Sequence, residues 1–457
     1  MLPTRPLSRQ IICCAFIAAA LLLARVPFIH NLLVGEEGCV GFLVANPTPA
    51  SELTAQMKPQ CLIGNVGGKL EFVEFERTIV PYRIIESIAG TVTRPLQILD
   101  MTDADARTRT VRLAFLALFA IGVAGAVWMA AKGGLVSALI VLYALTTPLA
   151  VGASIQPQVD GSVGVLLLGL AGWLLVSSKR PAAIFIAGLL VGLGRHEWSL
   201  ALLGATSLIF AVGFITRTSN IQTTGPILLG VSAGIALSLS ISFSDYINGF
   251  GVMRRVTGLA NPLVLAERFA IYLVPTALLL AAAALLGLRQ ARGLLARKPG
   301  TLVALVAGGA ILVGFGLSGW PGDGFPRYYT PALVLATYAV LSLIHENGLS
   351  RPASGLATGA LILGLGFNIN YLWSAARQEI SITSSPGLNL VQLRKKYDET
   401  AAWATRENIL PMEHAGFWLY YPNSPFFSRD MGVPGSIAYL KQHHPSWVDK
   451  LRDEPSR

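Results

Sequence analysis

The chain has 457 residues, 53% of them hydrophobic and only 13% charged, with a mean hydropathy of +0.58. That balance excludes an ordinary soluble enzyme and indicates a polytopic membrane protein whose length is used up by spans. A formal net charge of +10 would suggest nucleic acid in a soluble protein; here much of it lies in short loops beside apolar runs, where it sets orientation.

The N-terminus carries Arg5 and Arg9 and runs into an apolar stretch at 10–24 with no small-residue cleavage site after it, which predicts an uncleaved first span. Apolar runs of spanning length lie near 10–33, 109–131, 135–153, 162–178, 182–194, 198–216, 224–243, 269–288, 302–319, 327–344 and 354–373. The run at 182–194 is short and reads either as a span or as a half-span. With the N-terminus cytoplasmic, the turns after the even-numbered spans hold Lys132, Lys179-Arg180, Arg217, Arg289 to Lys298, and Arg351. Each of these turns is basic and short, so about eleven spans with the C-terminus outside satisfy the positive-inside rule.

The same parity collects the remaining loops at the outer face. They are 34–108, Ser154–Gly161 with Asp160, Arg195-His196-Glu197, Asp245 to Arg268, Gly319 to Arg327, and a polar tail from about 374. Within the first of them, Gly35-Glu36-Glu37-Gly38 sets two carboxylates between glycines, which let the backbone turn sharply just past a membrane-length run. Ionisable groups at membrane depth are expensive and tend to mark functional sites. Here they gather at one face, an arrangement suited to a lipid with a charged head group.

Several of these residues also have plainer readings. Glu36 and Glu37 fit a solvated acidic loop, Asp160 a turn residue after Pro157, and Arg327 a snorkelling anchor at a span end. Tyr328 and Tyr329 fit an aromatic belt, and Arg107, Arg109 and Arg112 fit docking charges of a helix lying along the membrane. His196 has no metal-ligand partner at helical spacing. The sequence holds no phosphate-cradling glycine loop, nucleophile elbow or zinc-binding His-Glu-x-x-His pattern.

Cys13 and Cys14 fall inside the first span and read as reduced, packed thiols. Cys39 and Cys61 both lie in the outer loop; in an oxidising compartment they could pair, closing a loop of about 20 residues worth roughly 3 kcal/mol in the chain-entropy model. Gly64, Gly67 and Gly68 read as turns, and 78–92 as an amphipathic surface helix. Residues 1–373 form the predicted transmembrane domain. Residues 374–457 form a small outer region with a helical stretch at Tyr397–Glu407 and an aromatic patch at Phe417–Tyr421. That region reads as a cap over the site or as a flexible anchor.

Gly35-Glu-Glu-Gly38 after Arg25-x-Pro-Phe28 resembles the first outer loop of the GT-C glycosyltransferases, in particular the protein mannosyltransferase and aminoarabinose-transferase-like group. Residues 104–116 with their arginines, Pro157-Gln-Val-Asp160, and Phe325-Pro-Arg-Tyr-Tyr-Thr-Pro331 resemble that family's later motifs in order and spacing, and Gly192-Leu-Gly-Arg-His-Glu197 is a looser match. The family's first acidic position is usually aspartate; here it is Glu36, one methylene longer.

The resemblance implies an all-α polytopic GT-C-like bundle in a bacterial inner membrane, with the first loop and C-terminal region in the periplasm. It implies transfer of a sugar from a polyprenyl-phosphate donor to a glycan, lipid or protein acceptor, with inversion. Such a reaction needs a carboxylate base, typically worth roughly 10²–10⁴-fold, and cations on the departing phosphate. By resemblance Glu36 is the base, with Glu37 and Asp160 as positioning or metal-supporting carboxylates. Arg327 is the first candidate for the phosphate, because guanidinium binds phosphate oxygens in bidentate fashion; Arg195, Arg254 and Arg255 follow, and Tyr328 and Tyr329 line the donor groove. A divalent metal stays open as a cofactor. The rival class is a transporter or flippase, which would place polar groups near the midplane, often in inverted repeats; no internal repeat is visible. A non-catalytic scaffold would need no acids and arginines on one face.

Overall fold

The computed structural model describes residues 7–32, 60–66, 69–74, 104–157, 159–217, 221–241, 297–317, 326–383, 387–408, 410–411 and 451–452. The predicted spans fall on helices, with three qualifications: the first helix ends at Leu23, the span 135–153 is two helices, and 269–288 lies outside the described residues. The helices are α1 (Leu7–Leu23), α2 (Ala104–Gly133), α3 (Leu135–Leu145), α4 (Pro148–Ile155), α5 (Gly164–Ser177), α6 (Pro181–Gly192), α7 (His196–Ile215), α8 (Ile221–Ile241), α9 (Pro299–Leu317), α10 (Pro326–Asn347), α11 (Arg351–Arg377) and α12 (Leu390–Glu407). By length and composition, 5 described helices can cross a membrane singly, or 6 if the bent pair α3–α4 counts as one; Gly161–Ser177, Pro181–Gly192 and Pro299–Gly314 are apolar but shorter.

The fold class is helical, as expected; beside the helices, β1 (Gln60–Val66) and β2 (Lys69–Glu74) pair antiparallel, with Cys61 opposite Val73. A minimal parallel pair, β3 (Leu410–Pro411) with β4 (Leu451–Arg452), lies in the tail. The tail helix is longer than expected. It starts at Leu390, where the Asn389 side chain accepts from the Gln392 N–H at 3.0 Å, and it ends on Asn408 in the left-handed region at φ 52°.

Glycine lets neighbouring backbones touch. On α6, Gly188 and Gly192 lie directly on Ile227, Gly230, Val231 and Gly234 of α8, and Gly230 and Gly234 face back in the same register, so the two helices run parallel. This is the small-xxx-small packing that holds helices together in lipid, where apolar burial alone gives no preference. It also gives the short α6 its partner. Gly122 of α2 and Gly169 of α5 meet in the same way. Beside them the Tyr338 hydroxyl of α10 donates to the Gly122 carbonyl at 3.0 Å and accepts from the Ala126 N–H at 3.0 Å. It is thus inserted into one rung of the α2 ladder.

The two ends of the bundle differ. At one end, Lys298 Nζ lies 2.8 Å from Glu346 Oε1, and Gly300 backs onto Leu175 near the end of α5. The predicted basic turns at 179–180, 298 and 351 therefore lie near one another. The other end gathers the turns from which the site is built.

Candidate functional site

The site begins with a break. α3 and α4 meet at an angle of 64°, because Pro148 has no N–H to give the Ala144 carbonyl. The Thr147 hydroxyl donates to that carbonyl instead, at 2.9 Å, and accepts from the Ala150 N–H at 3.2 Å as the cap of α4. The Leu145 carbonyl, at the last residue of α3, accepts a hydrogen bond from Arg25. The Arg25 guanidinium is 1% exposed; it donates to Leu145 O at 2.8 Å, Leu21 O at 2.6 Å and Ser154 Oγ at 2.7 Å. It also stacks 4.7 Å from the Phe119 ring centroid.

A second arginine closes the other end of α4. Arg112, fully buried, donates from Nη1 to Ile155 O at 3.0 Å, from Nε to Asn31 O at 2.8 Å and from Nη2 to Leu32 O at 2.7 Å. One side chain on α2 thus binds two carbonyls just before the Glu36-Glu37 loop and one just before the Asp160 turn. This corrects the reading of Arg112 as a docking charge, because its side chain is inside the bundle.

Beyond Ile155 the chain makes a π-helical turn at Val159–Val163, which carries Asp160 and is kinked at Gly161 (φ −84°, ψ −107°). The Ser162 hydroxyl ties it back to Ser154 O at 2.9 Å. Four residues past Asp160, Gly164 opens α5 with the indole of Trp198 lying on it and the Pro331 ring beside it. Trp198 is three residues past Arg195, and Pro331 four past Arg327. The three turns predicted to carry Asp160, Arg195 and Arg327 therefore start from one point of contact. Thr330 Oγ1 donates to Leu149 O at 3.3 Å, joining the start of α10 to α4. The tail reaches the same end, where Ile382 lies against Gly152 and packs with Phe28, Val151 and Ile155.

Of the predicted residues, Tyr329 is buried at 3% exposure, so it belongs to the packing beneath the site and not to an aromatic belt. Arg195 is half-buried and held by its neighbour: Nε and Nη2 donate to Glu197 Oε2 and Oε1 at 3.0 and 2.8 Å. Asp160, Arg327 and Tyr328 lie in described backbone, whereas Glu36, Glu37, Cys39, Arg254 and Arg255 lie outside the described residues; Cys61 sits in β1. His196 is buried. Cys13 and Cys14 are free thiols, half-buried in α1 as expected. Among the described residues no cluster of His, Cys, Asp and Glu could hold a metal ion. Sequence reasoning missed Arg25 and Arg112 as buried clasps; an arginine inside or at the edge of an apolar helix was the available signal.

No family model matches the chain, and no curated protein matches it. Two solved structures are similar in backbone. The crystal structure of ArnT from Cupriavidus metallidurans bound to undecaprenyl phosphate aligns at 15% identity and a TM-score of 0.48, over 96% of this chain and 80% of that one. ArnT from the same organism in the apo state aligns at 16% identity and a TM-score of 0.43, over 92% and 76%. The reading of this site rests on its own residues.

Proposed function

We propose that the chain is an integral-membrane glycosyltransferase that moves a sugar from a polyprenyl-phosphate donor to an acceptor at the outer face, with inversion. The observation that carries the reading is the convergence of the acid- and arginine-bearing turns at one end of the bundle. Arg112 binds the carbonyls of Asn31 and Leu32 and that of Ile155, in the chain entering the Asp160 turn; Trp198 and Pro331 both lie against Gly164 just past Asp160. A transporter would concentrate polar groups near the midplane, whereas these turns lie at helix ends.

In this reading Glu36 takes the proton of the acceptor hydroxyl as it attacks the anomeric carbon, and Arg327 holds the departing phosphate. Glu37 and Asp160 position the acceptor or support a divalent metal. Arg254 and Arg255 are secondary phosphate contacts. Arg195 contributes only if the phosphate competes for its guanidinium with Glu197, so it ranks below Arg327. Residues 374–457 form a cap over the site, and the N-terminus faces the cytoplasm of a bacterial cell, with the first loop in the periplasm.

The test is transfer by the purified protein from a panel of polyprenyl-phosphate sugars, with products identified by mass. Glu36→Gln should lower turnover by roughly 10²-fold or more with donor binding nearly intact. Arg327→Lys should weaken binding and turnover together, less than Arg327→Ala. Full activity in both Glu36→Gln and Glu37→Gln would remove this loop from the chemistry.

A further inference from the structure

We infer that Arg112 is a positioning residue, the bracket that sets the separation between the two acid-bearing segments. The inference rests on the reading of Glu36 and Asp160 as the reaction's carboxylates; the bracket itself rests on geometry alone. Three donors of one planar group reach three carbonyls on two segments more than a hundred residues apart in sequence: Asn31 and Leu32 on one, Ile155 on the other. A guanidinium presents its donors in a rigid fork, so the two backbones cannot move relative to each other without breaking bonds in a fully buried site.

Each segment ends on an anchored carbonyl and then leads directly into its acid. Leu32 stands four residues before Glu36, and Ile155 five before Asp160. The second segment is held again just past Asp160, where Ser162 bonds to Ser154 O. The first is held from behind by Arg25, whose Nη1 binds Leu21 O and whose Nε and Nη2 bind Ser154 Oγ and Leu145 O on the bent span. Arg25 therefore joins the same two segments one step further into the bundle. Arg112 is the outer of the two joints, and the carbonyls it binds stand nearer to both acids in sequence than the groups bound by Arg25. Lysine could not replace it: one ammonium can approach these carbonyls only as a point donor, without the fork that fixes their relative directions.

The experiment follows amide hydrogen exchange by mass spectrometry in the purified full-length chain, beside steady-state kinetics with the active polyprenyl-phosphate sugar found in the panel. In Arg112→Gln, exchange should rise about 10-fold in peptides covering 26–38 and 150–163 together, while peptides of α6 and α8 change by less than about 2-fold. kcat should fall by about 10-fold or more with the donor KM within about 2-fold, because the acids are displaced and the donor contacts are kept. Arg112→Lys should lie between wild type and Arg112→Gln in both measurements, and it carries the test should Arg112→Gln fail to accumulate. Exchange that rises evenly over the whole bundle, or in neither segment, overturns the inference and leaves Arg112 as a general stability residue. Paired local loosening in a chain that transfers no sugar from any donor upholds the bracket and fells the functional reading instead.

Discussion

Replacing Arg25 with methionine tests the other clasp through stability. The substitution keeps an unbranched apolar stem and removes all three donors. Leu21 O and Leu145 O lie in the last turns of α1 and α3, where intrahelical donors run out, and Arg25 satisfies both of them. Two buried carbonyls left unsatisfied at about 1–3 kcal/mol each give a loss of about 2–6 kcal/mol. Loss of the contact with Phe119 at 4.7 Å adds to this, by about 1–2 kcal/mol for a desolvated cation–π pair. Release from burying a guanidinium acts the other way, since among the described residues no carboxylate offsets its charge. The net expectation is a destabilisation of about 2–5 kcal/mol, read as an earlier unfolding midpoint in detergent followed by tryptophan fluorescence. Arg25→Lys should recover part of it, and Ser154→Ala should cost less than Arg25→Met because it removes one of the three acceptors. An Arg25→Met protein that unfolds at or above the wild-type midpoint would refute the reasoning: it would mean that desolvating the charge outweighs everything the charge binds.

Three further outcomes are expected. Gly188→Ala should destabilise by about 1–3 kcal/mol, because its methyl meets the Ile227 carbonyl at 2.5 Å, whereas Gly204→Ala, with nothing within 4 Å, should be neutral or gain up to about 1 kcal/mol of helix propensity; unfolding midpoints of the two variants decide it. Tyr338→Phe should cost only about 1 kcal/mol, since Gly122 O and Ala126 N can close their own helical bond once the hydroxyl leaves; a loss several times larger in the same unfolding assay would mean that the ladder cannot re-form. Cys39 should resist thiol labelling under denaturing, non-reducing conditions and react after reduction; quantitative labelling without reductant would rule out a bond to Cys61.

The helices were legible because their cause is compositional: an apolar run long enough to cross lipid is its own signal, and most described runs are helices within a few residues of their predicted ends, although the first helix stops at Leu23 and the run at 135–153 is two helices. The grouping of the turns that carry Asp160, Arg195 and Arg327 at one end was anticipated from charge parity, which does not say how they touch. What hydropathy does not register is a single residue that changes the backbone. Pro148, within the predicted span 135–153, bends it by 64° without lowering its apolar average. Gly188/Gly192 and Gly230/Gly234 stood in plain view at the four-residue spacing of close helix contact, yet spacing on one helix does not say which partner it meets. The strands at 60–66 and 69–74 were not recognised because short segments of this kind are weak signals beside membrane-length runs. Arg112 was counted as one of three charges on a helix surface. Its burial depends on carbonyls supplied from residues 31, 32 and 155, which no local window brings together.

The two ends of the bundle are held by different chemistry, and the magnitudes say which end is the more rigid. Lys298 and Glu346 meet through side chains 23% and 30% exposed; a partly exposed pair of this kind contributes about 0–1 kcal/mol and is weakened further by salt. Arg25 and Arg112 are desolvated, and their partners are backbone carbonyls with no water to fall back on, at about 1–3 kcal/mol for each one orphaned. A basic turn needs little more than a charge near the head groups, so its geometry can vary without consequence for orientation. The opposite end must hold turns from several helices in a fixed relation, and fixed relation is what a buried guanidinium bonded across segments provides. Salt should therefore loosen the Lys298–Glu346 contact and leave the Arg25 and Arg112 clasps unchanged.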